Sequence, residues 1–247
     1  MTGVILAAGC ARRLRPLTDS RPKCLLQVGG ATLLGRTVDA MLAAGITDFV
    51  VVTGYLAPMV EDHIRHSAAF AAPGVSFRFI DNADYEHNNN IFSLWLAGEV
   101  VRGQEFLLMD SDILCDPQAV ARIASQTDAA LALNRHELGE EEIKAVVDDK
   151  GCIVELNKTC DPRTALGESV GIEHVTAAYS TALYAELEKM IVDEGLDNVF
   201  YERAFERLIP QGHTFRVVDT TDLFSFEIDT PEDLQRATEL LPPWMVR

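Results

Sequence analysis

Along the first half of the chain, short apolar runs alternate with segments in which apolar residues recur at helical spacing. The apolar runs predict strands at VILAA (4–8), DFVVVTG (48–54), VSFRFID (75–81) and EFLLMDSDI (105–113). The segments between them predict helices at 31–44, at PMVEDHIRH and at NNNIFSLWLAGEVV (88–101), the last with an asparagine N-cap. Strands that are apolar throughout are buried on both faces. The pattern therefore predicts an α/β fold, a mostly parallel sheet with helices on both faces.

The alternation of strands and helices gives way to a different pattern beyond about residue 128. Short strands are predicted at DAALALN, IKAVVDD and CIVELNK, and Asp149-Lys150-Gly151 is typical of a hairpin turn. Helices are predicted at about 176–194 and at YERAFERLI (201–209), followed by strands at TFRVVD and LFSFEID and a C-terminal helix with Pro231 at its first position. No flexible linker separates the halves. We predict one domain over 1–247, built from parts 1–127 and 128–247.

Composition narrows the possible partners. No apolar run reaches the roughly 20 residues of a membrane helix, and the N-terminus lacks the basic region and apolar core of a secretory signal. The five cysteines form no C-x-x-C pair, which is typical of reduced thiols in the cytoplasm. The net charge of −17 argues against a nucleic-acid groove. We expect a cytoplasmic protein without nucleic-acid or membrane partners, and a homo-oligomer is left open.

The loop after the first strand is positively charged, although the chain as a whole is acidic. Its cations are Arg12, Arg13, Arg15, Arg21 and Lys23, and only Asp19 opposes them. Backbone N–H groups and cationic side chains that converge after a buried strand bind polyphosphate. The alternative is an ordinary solvated loop between a strand and a helix.

Three aspartates lie towards the carboxyl ends of predicted strands, at the edge where open parallel sheets bind ligands. Asp110 and Asp112 are two residues apart, so in an extended strand both side chains point to one face. Asp229 ends the strand LFSFEID. One or two carboxylates with waters and substrate phosphates are the usual shell of Mg²⁺. The alternative is that these aspartates only cap strands and turns.

The motifs together resemble a known family. LAAGCARRLRPLTDSRPKCLL resembles the opening motif of nucleotidyltransferases, L-A-A-G-x-G-x-R-L-x-P-x-T-x-x-x-P-K, and MDSDILCD and FEIDTPEDL are similar to the family's two metal-binding aspartate motifs. The resemblance implies a Rossmann-like fold of the nucleotide-diphospho-sugar transferase type. It also implies that 1–127 binds nucleotide and that 128–247 forms a small acceptor-binding lobe. Ala11 departs from the motif, which has glycine there. If that position needs a positive φ, alanine costs roughly 1 kcal/mol.

Finer features are similar to the small-acceptor cytidylyltransferases, which use phosphocholine or 2-aminoethylphosphonate. They are NNNIFSLWLA, ELNKTCD, GESVGIEHV and FYERAFERLI. The resemblance implies that CTP and a small phosphomonoester or phosphonate give a CDP-type conjugate and pyrophosphate, with Mg²⁺ assisting in-line attack on the α-phosphorus. The acceptor is already anionic at neutral pH, so no general base is required. Two alternatives stay open: a sugar-1-phosphate nucleotidylyltransferase, and a regulatory module that binds nucleotide without catalysis.

The resemblance also implies individual roles. The residues expected at the nucleotide are Leu6, Ala7, Ala8, Gly9, Arg13, Lys23, Asn89, Asn90 and Asp110. Asp112 and Asp229 are expected to bind the metal, and Lys158, Glu168, Tyr201 and Glu202 to bind the acceptor. Arg13, Lys23 and Lys158 are the expected catalytic cations. Trp95 and Phe200 are expected to be core residues.

Overall fold

The first strand of the chain lies inside a nine-stranded sheet. The computed structural model describes residues 1–140 and 142–247. Within them the strands are β1 (Thr2–Ala7), β2 (Gln27–Val28), β3 (Ala31–Thr32), β4 (Asp48–Thr53), β5 (Ser76–Asp81), β6 (Phe106–Asp110), β7 (Ile113–Cys115), β8 (Ala130–Asn134), β9 (Lys144–Val147), β10 (Ile153–Asn157), β11 (Gly167–Val175), β12 (Arg216–Asp219) and β13 (Ser225–Glu227). The helices are α1 (Leu33–Ala43), α2 (Ala57–Arg65), α3 (Asn90–Val101), α4 (Pro117–Ala124), α5 (Ala177–Glu188), α6 (Glu202–Leu208) and α7 (Pro231–Leu240).

Four strands of the first half, β6, β1, β4 and β5, are parallel neighbours in the sheet. The main order is β10-β9-β11-β6-β1-β4-β5, and β8 pairs with both β11 and β12. The pairs β6–β1, β1–β4 and β4–β5 are parallel, whereas β11 runs antiparallel to β6, β8 and β9. The predicted sheet is therefore confirmed, with an antiparallel strand at the join between the two halves of the chain.

Side chains of β1 alternate between two cores. Val4 and Leu6 pack on one face of the sheet with residues of α3 and α5, whereas Ile5 and Ala7 pack on the other face with residues of α1, α2 and α4. All four are buried. Helices on both faces confirm the predicted layers and explain why β1 is apolar from Val4 to Ala7.

Several predicted ends of helices and strands agree with the structure, and the end of β6 differs. Asn89 caps α3, and Thr230 caps α7 in a reciprocal pair with Asp233. β9 and β10 pair in antiparallel fashion around Gly151, as predicted. β6 ends at Asp110, and Ser111 and Asp112 form a turn, so the alternation assumed for Asp110 and Asp112 was wrong. In the described part of the chain, no helix has both the length and the apolarity needed to cross a bilayer.

A candidate active site at the carboxyl ends of the central strands

A cavity of about 530 Å³ opens where β1 and β6 end. Both halves of the chain contribute to its lining. The predicted site residues in the lining are Leu6, Ala7, Ala8, Gly9, Arg13, Lys23, Asn89, Asn90, Asp110, Asp112, Lys158, Glu168, Glu202 and Asp229. Side chains that are far apart in sequence thus face one volume, which is where open α/β sheets bind ligands.

The loop after β1 turns at Ala11 and not at Gly9. Ala11 has φ 45° and ψ 56°, the left-handed conformation, while a Cβ on Gly9 would meet nothing within 4 Å. The Ala11 carbonyl accepts hydrogen bonds from Leu14 N and Thr18 Oγ1, both at 3.0 Å. The motif position that is usually glycine therefore does require positive φ, and these bonds hold the alanine there at a local cost in backbone strain.

Two cationic side chains from this region contact the predicted metal aspartates. Lys23 Nζ donates to Asp112 Oδ2 at 2.7 Å and to Asp229 Oδ1 at 2.6 Å, and Arg13 Nη2 donates to Asp229 Oδ2. Burial disfavours the charged amine, but Asp112 and Asp229 raise the pKa of Lys23 above its ordinary value. Burial also disfavours the charged form of Asp229, yet Lys23 and Arg13 lower the pKa of that carboxyl below its ordinary value. Lys23 and Asp229 therefore stabilise each other's charged form.

The short pair β7–β13 brings Asp229 to Asp112. Glu227 lies opposite Ile113 in this antiparallel pair, and Ile228 N donates to Asp112 O at 3.3 Å. Asp229 then precedes the cap of α7, where its own N–H donates to Asp233 Oδ2 at 3.3 Å. Backbone pairing therefore fixes the separation of two carboxylates that lie more than a hundred residues apart in sequence.

Glu227 is a third carboxylate at this point and was missed in the sequence. Oxygen atoms of Asp112, Glu227 and Asp229 lie within 4.8 Å of one another. Burial, together with Asp112 and Asp229, raises the pKa of Glu227 to about 8. Asp112 Oδ1 is buried and has no hydrogen-bond partner among the described residues. Hard oxygen donors with one unsatisfied buried lone pair fit a divalent cation such as Mg²⁺. Period-two alternation from Asp229 back to Glu227 was the available signal.

Asp110 lies near other acidic groups, among them Asp112, Glu202 and Glu227. Burial and the neighbouring Asp112 and Glu202 raise the pKa of Asp110, although Tyr201 opposes this by donating its hydroxyl to Asp110 Oδ2 at 2.9 Å. Tyr201 is fully buried and does not line the cavity. Its predicted contact with the acceptor is therefore corrected: its ring packs on Phe205, and its hydroxyl acts on Asp110.

A network of amide side chains, which begins directly after β5, lines part of the cavity. Asn82 Nδ2 donates to Asn88 Oδ1 at 2.8 Å and to Ser93 Oγ at 3.1 Å. Asn89 Oδ1 accepts from Asn90 N at 2.8 Å, and Asn90 Oδ1 accepts from the backbone N of Tyr201 at 3.0 Å. Asn82, Asn88 and Ser93 were not predicted, because their proximity depends on how the loop after β5 folds back on α3.

The opposite side of the cavity carries charged and aromatic groups from the second half. Lys158 Nζ lies 4.9 Å from the centre of the Phe200 ring. Phe200 is 46% exposed and lines the cavity, so the expectation that it is a core residue was wrong. Trp95 does pack against a core, as expected, and its Nε1 donates to Glu188.

Two glutamates complete this side. Glu168 Oε2 lies 2.7 Å from His136 Nε2. Burial raises the pKa of Glu202 to about 7, and Glu202 Oε2 has no hydrogen-bond partner in the described part of the chain. Lys158, Phe200 and Glu202 also line an adjoining cavity of about 340 Å³, whose other walls include Leu156, Leu196 and Val199. This side therefore offers both charged and apolar contacts.

Comparison with known proteins places this geometry in a family. The nucleotidyl transferase family model matches residues 2–139, more than half of the chain. The CMP-5'-(3-aminopropyl)phosphonate synthase of Streptomyces rubellomurinus is 28% identical over 95% of this chain and 38% of that protein. The choline-phosphate cytidylyltransferase of Streptococcus pneumoniae is 33% identical over 40% of each chain. The matched regions therefore cover about two fifths of the length of each of these two relatives.

A solved structure extends the likeness to the whole fold. The CTP:phosphocholine cytidylyltransferase of Streptococcus pneumoniae superposes with a TM-score of 0.80 over 98% of this chain and 99% of that one, at 22% identity. The resemblance to phosphocholine and phosphonate cytidylyltransferases that the motifs indicated is confirmed, and so is the predicted fold class. The chain belongs to the nucleotidyl transferase family.

Proposed function

We propose that this protein transfers CMP from CTP to a small phosphomonoester or phosphonate and releases pyrophosphate. The acceptor is of the phosphocholine or 2-aminoethylphosphonate type. The observation that carries the proposal is the cluster of Asp112, Glu227 and Asp229 beside Lys23 and Arg13, in a cavity whose other side holds Lys158. A site of this kind suits a reaction in which two anions must meet.

Asp112 and Asp229, with Glu227 beside them, are the residues that would hold Mg²⁺. A bound Mg²⁺ ion supplies positive charge against the phosphate oxygens and orients them. The neighbouring residues fit this role, since Asp112 Oδ1 is buried without a hydrogen-bond partner among the described residues. Tyr201 holds Asp110 through its hydroxyl and so positions the end of β6, which the turn with Asp112 follows.

The chemical step needs positioning more than proton transfer. An acceptor oxygen forms a bond to the α-phosphorus while the bond to the bridging oxygen of pyrophosphate breaks, and the electron pair leaves with pyrophosphate. Phosphate and phosphonate acceptors are largely anionic at neutral pH, so no group of the protein has to remove a proton. Arg13 and Lys23 neutralise the triphosphate, and Lys158 attracts the anionic end of the acceptor.

The nucleotide is proposed to lie along Leu6, Ala7, Ala8 and Gly9, with its base towards Asn89, Asn90 and the amide network. A Cβ at Gly9 would face open space, which leaves room for a phosphate or ribose close to the backbone. The amide groups of Asn82 and Asn88 are held by each other, so their orientation is fixed before any ligand binds. Fixed donors and acceptors discriminate between bases better than mobile ones.

The head of the acceptor is proposed to lie between Phe200, Glu168 and Glu202. An exposed aromatic ring and a buried carboxylate with an unpartnered oxygen suit an ammonium group. The apolar walls of the adjoining cavity suit the methyl or methylene groups that accompany such a head. These features favour an acceptor that carries an ammonium group over a sugar phosphate, whose sugar is uncharged.

A pyrophosphate-release assay tests the proposal. CTP, UTP and dTTP are each combined with phosphocholine, 2-aminoethylphosphonate and glucose 1-phosphate in the presence of Mg²⁺. We expect release with CTP and an amine-bearing acceptor and its loss when EDTA is added. Turnover that prefers UTP or dTTP with glucose 1-phosphate would identify a sugar-1-phosphate enzyme. Release no faster than background with every pair would identify a non-catalytic nucleotide-binding module.

A further inference from the structure

The two proposed metal aspartates are already occupied by cations of the chain itself. Asp229 has Lys23 on one carboxylate oxygen and Arg13 on the other, and Lys23 also binds one oxygen of Asp112. Only Asp112 Oδ1, among the oxygens of these two groups, is buried without a hydrogen-bond partner in the described structure. The ammonium of Lys23 therefore bridges the same two carboxylates that a divalent ion would bridge.

A divalent ion cannot join these carboxylates while Lys23 stays between them. The Lys23 side chain is only 11% exposed, and its nitrogen lies 2.6–2.7 Å from both groups. Two cations at this spacing with little water between them repel each other strongly. Metal binding consequently requires that Lys23 release at least one aspartate.

The chain permits this movement without refolding. Pro22 precedes Lys23, and the backbone turn is held by Leu26 N donating to Lys23 O at 2.9 Å, so the four-carbon side chain can swing while its Cα stays fixed. The Arg13 side chain is 66% exposed and its guanidinium is at the cavity edge. A triphosphate in the cavity offers both cations several anionic oxygens in exchange for the carboxylates.

We propose that Lys23 and Arg13 are resident counter-ions that keep the metal site closed until a triphosphate draws them away. The proposal rests on the proposed function in one respect, that a triphosphate binds in this cavity. Its consequence is that metal and triphosphate bind cooperatively, and that the metal alone binds weakly. This coupling would commit the metal to productive complexes, since free Mg²⁺ would not occupy the site ahead of the nucleotide.

Binding of Mn²⁺ alone, measured by electron paramagnetic resonance without nucleotide, tests the proposal. Lys23→Met removes the ammonium and keeps an unbranched side chain about as long as the four-carbon stem. We expect its Mn²⁺ Kd to fall by about tenfold from the wild-type value, because a competing cation is gone. The control is Lys150→Met, which changes the net charge equally at an exposed hairpin turn and should leave the Kd unchanged. Adding Asp112→Asn to Lys23→Met should abolish the gain, which assigns it to this site.

A Lys23→Met protein that binds Mn²⁺ no more tightly than wild type overturns the proposal. If that variant does not fold, Arg13→Met decides, because Arg13 is exposed and its loss frees one oxygen of Asp229. We expect a Kd about threefold lower for Arg13→Met and no change for its neighbour Arg12→Met. An unchanged Kd in Arg13→Met then overturns the proposal. Neither measurement uses CTP or an acceptor, so failure of the proposed reaction would show in the pyrophosphate assay and not here.

Discussion

The Tyr201 hydroxyl donates a hydrogen bond of 2.9 Å to Asp110 Oδ2, and the backbone N–H of Tyr201 donates to Asn90 Oδ1 at 3.0 Å. One buried residue at the start of α6 thus ties the first residue of α3 to the end of β6. Asn90 lines the nucleotide side of the cavity, and Asp110 lies beside the proposed metal carboxylates. Tyr201 therefore links the second half of the chain to the nucleotide side and carboxylate end of the cavity without lining it.

Tyr201→Phe should lower both stability and turnover. Losing the hydroxyl removes a partner of the partly buried Asp110 Oδ2, which costs about 1–3 kcal/mol. We expect kcat to fall about tenfold with a smaller change in KM for CTP, because the variant disturbs positioning and not nucleotide contacts. Urea unfolding and steady-state kinetics measure the two effects.

Tyr184→Phe is the matched control for this variant. The Tyr184 hydroxyl is also buried and donates to Leu94 O at 2.9 Å, away from the cavity. It should lose similar stability, about 1–2 kcal/mol, and keep its kcat. Equal turnover in the two variants would show that the Tyr201–Asp110 bond matters only for stability.

Asp112→Asn should lower kcat by at least about a hundredfold while the fold is kept. The amide cannot supply the negative charge that a divalent ion requires, although it keeps the size of the side chain. Asp222→Asn is the control, since Asp222 is an exposed aspartate paired with Arg122 and should cost under about 1 kcal/mol with no loss of turnover. Near-normal activity of Asp112→Asn at ordinary Mg²⁺ would remove this aspartate from the mechanism.

Glu202 should make stability depend on pH. Burial raises the pKa of its carboxyl from 4.5 to about 7, so between these values the folded state keeps a proton that the unfolded state has lost. The free energy of unfolding contributed by Glu202 therefore falls as pH rises from about 4.5 to about 7, by roughly 3 kcal/mol, and is level above that range.

Glu202→Gln isolates this effect, because glutamine has no proton to exchange. The difference in unfolding free energy between wild type and Glu202→Gln, measured by urea at pH 5, 6, 7 and 8, should move in favour of the variant as pH rises. A difference that is constant over this range would mean that Glu202 keeps its ordinary pKa in the folded protein.

Ala11→Gly should stabilise the protein slightly. Ala11 is held at φ 45°, where glycine avoids the steric cost of a Cβ, although glycine also gains entropy in the unfolded chain. The net gain should be about 0.5–1 kcal/mol in urea unfolding. Ala40→Gly in the middle of α1 should instead destabilise by about 1 kcal/mol, so a loss in Ala11→Gly as large as in Ala40→Gly would contradict the strain at Ala11.

Much of the sheet and part of the site could be predicted because local signals were strong. The apolar runs fixed β1, β4, β5 and β6, and the aspartates at strand ends pointed to one edge of the sheet. Asp229 met Asp112 as expected because the β7–β13 pair places it there. Asp110 and Asp112 do line one cavity, but a turn joins them and not the extended strand that was predicted.

The positions of the other site residues depended mostly on tertiary packing, which no local pattern encodes. Tyr201 and Phe200 are adjacent, yet Tyr201 is fully buried against Phe205 of α6, whereas Phe200 is half exposed and lines the cavity. Asn82, Asn88 and Ser93 meet only after a loop closes on α3. Glu227 was overlooked although its spacing to Asp229 was a readable signal.

The position of a metal ion in a crystal grown with CTP and Mn²⁺ tests the central claim most directly. Anomalous scattering locates Mn²⁺ without ambiguity. We expect the ion to be coordinated by Asp112 and Asp229, with the triphosphate against the loop after β1 and with Lys23 moved from the aspartates to the phosphates. A nucleotide bound elsewhere, or an ion that contacts neither aspartate while Lys23 still bridges them, would contradict the proposed site.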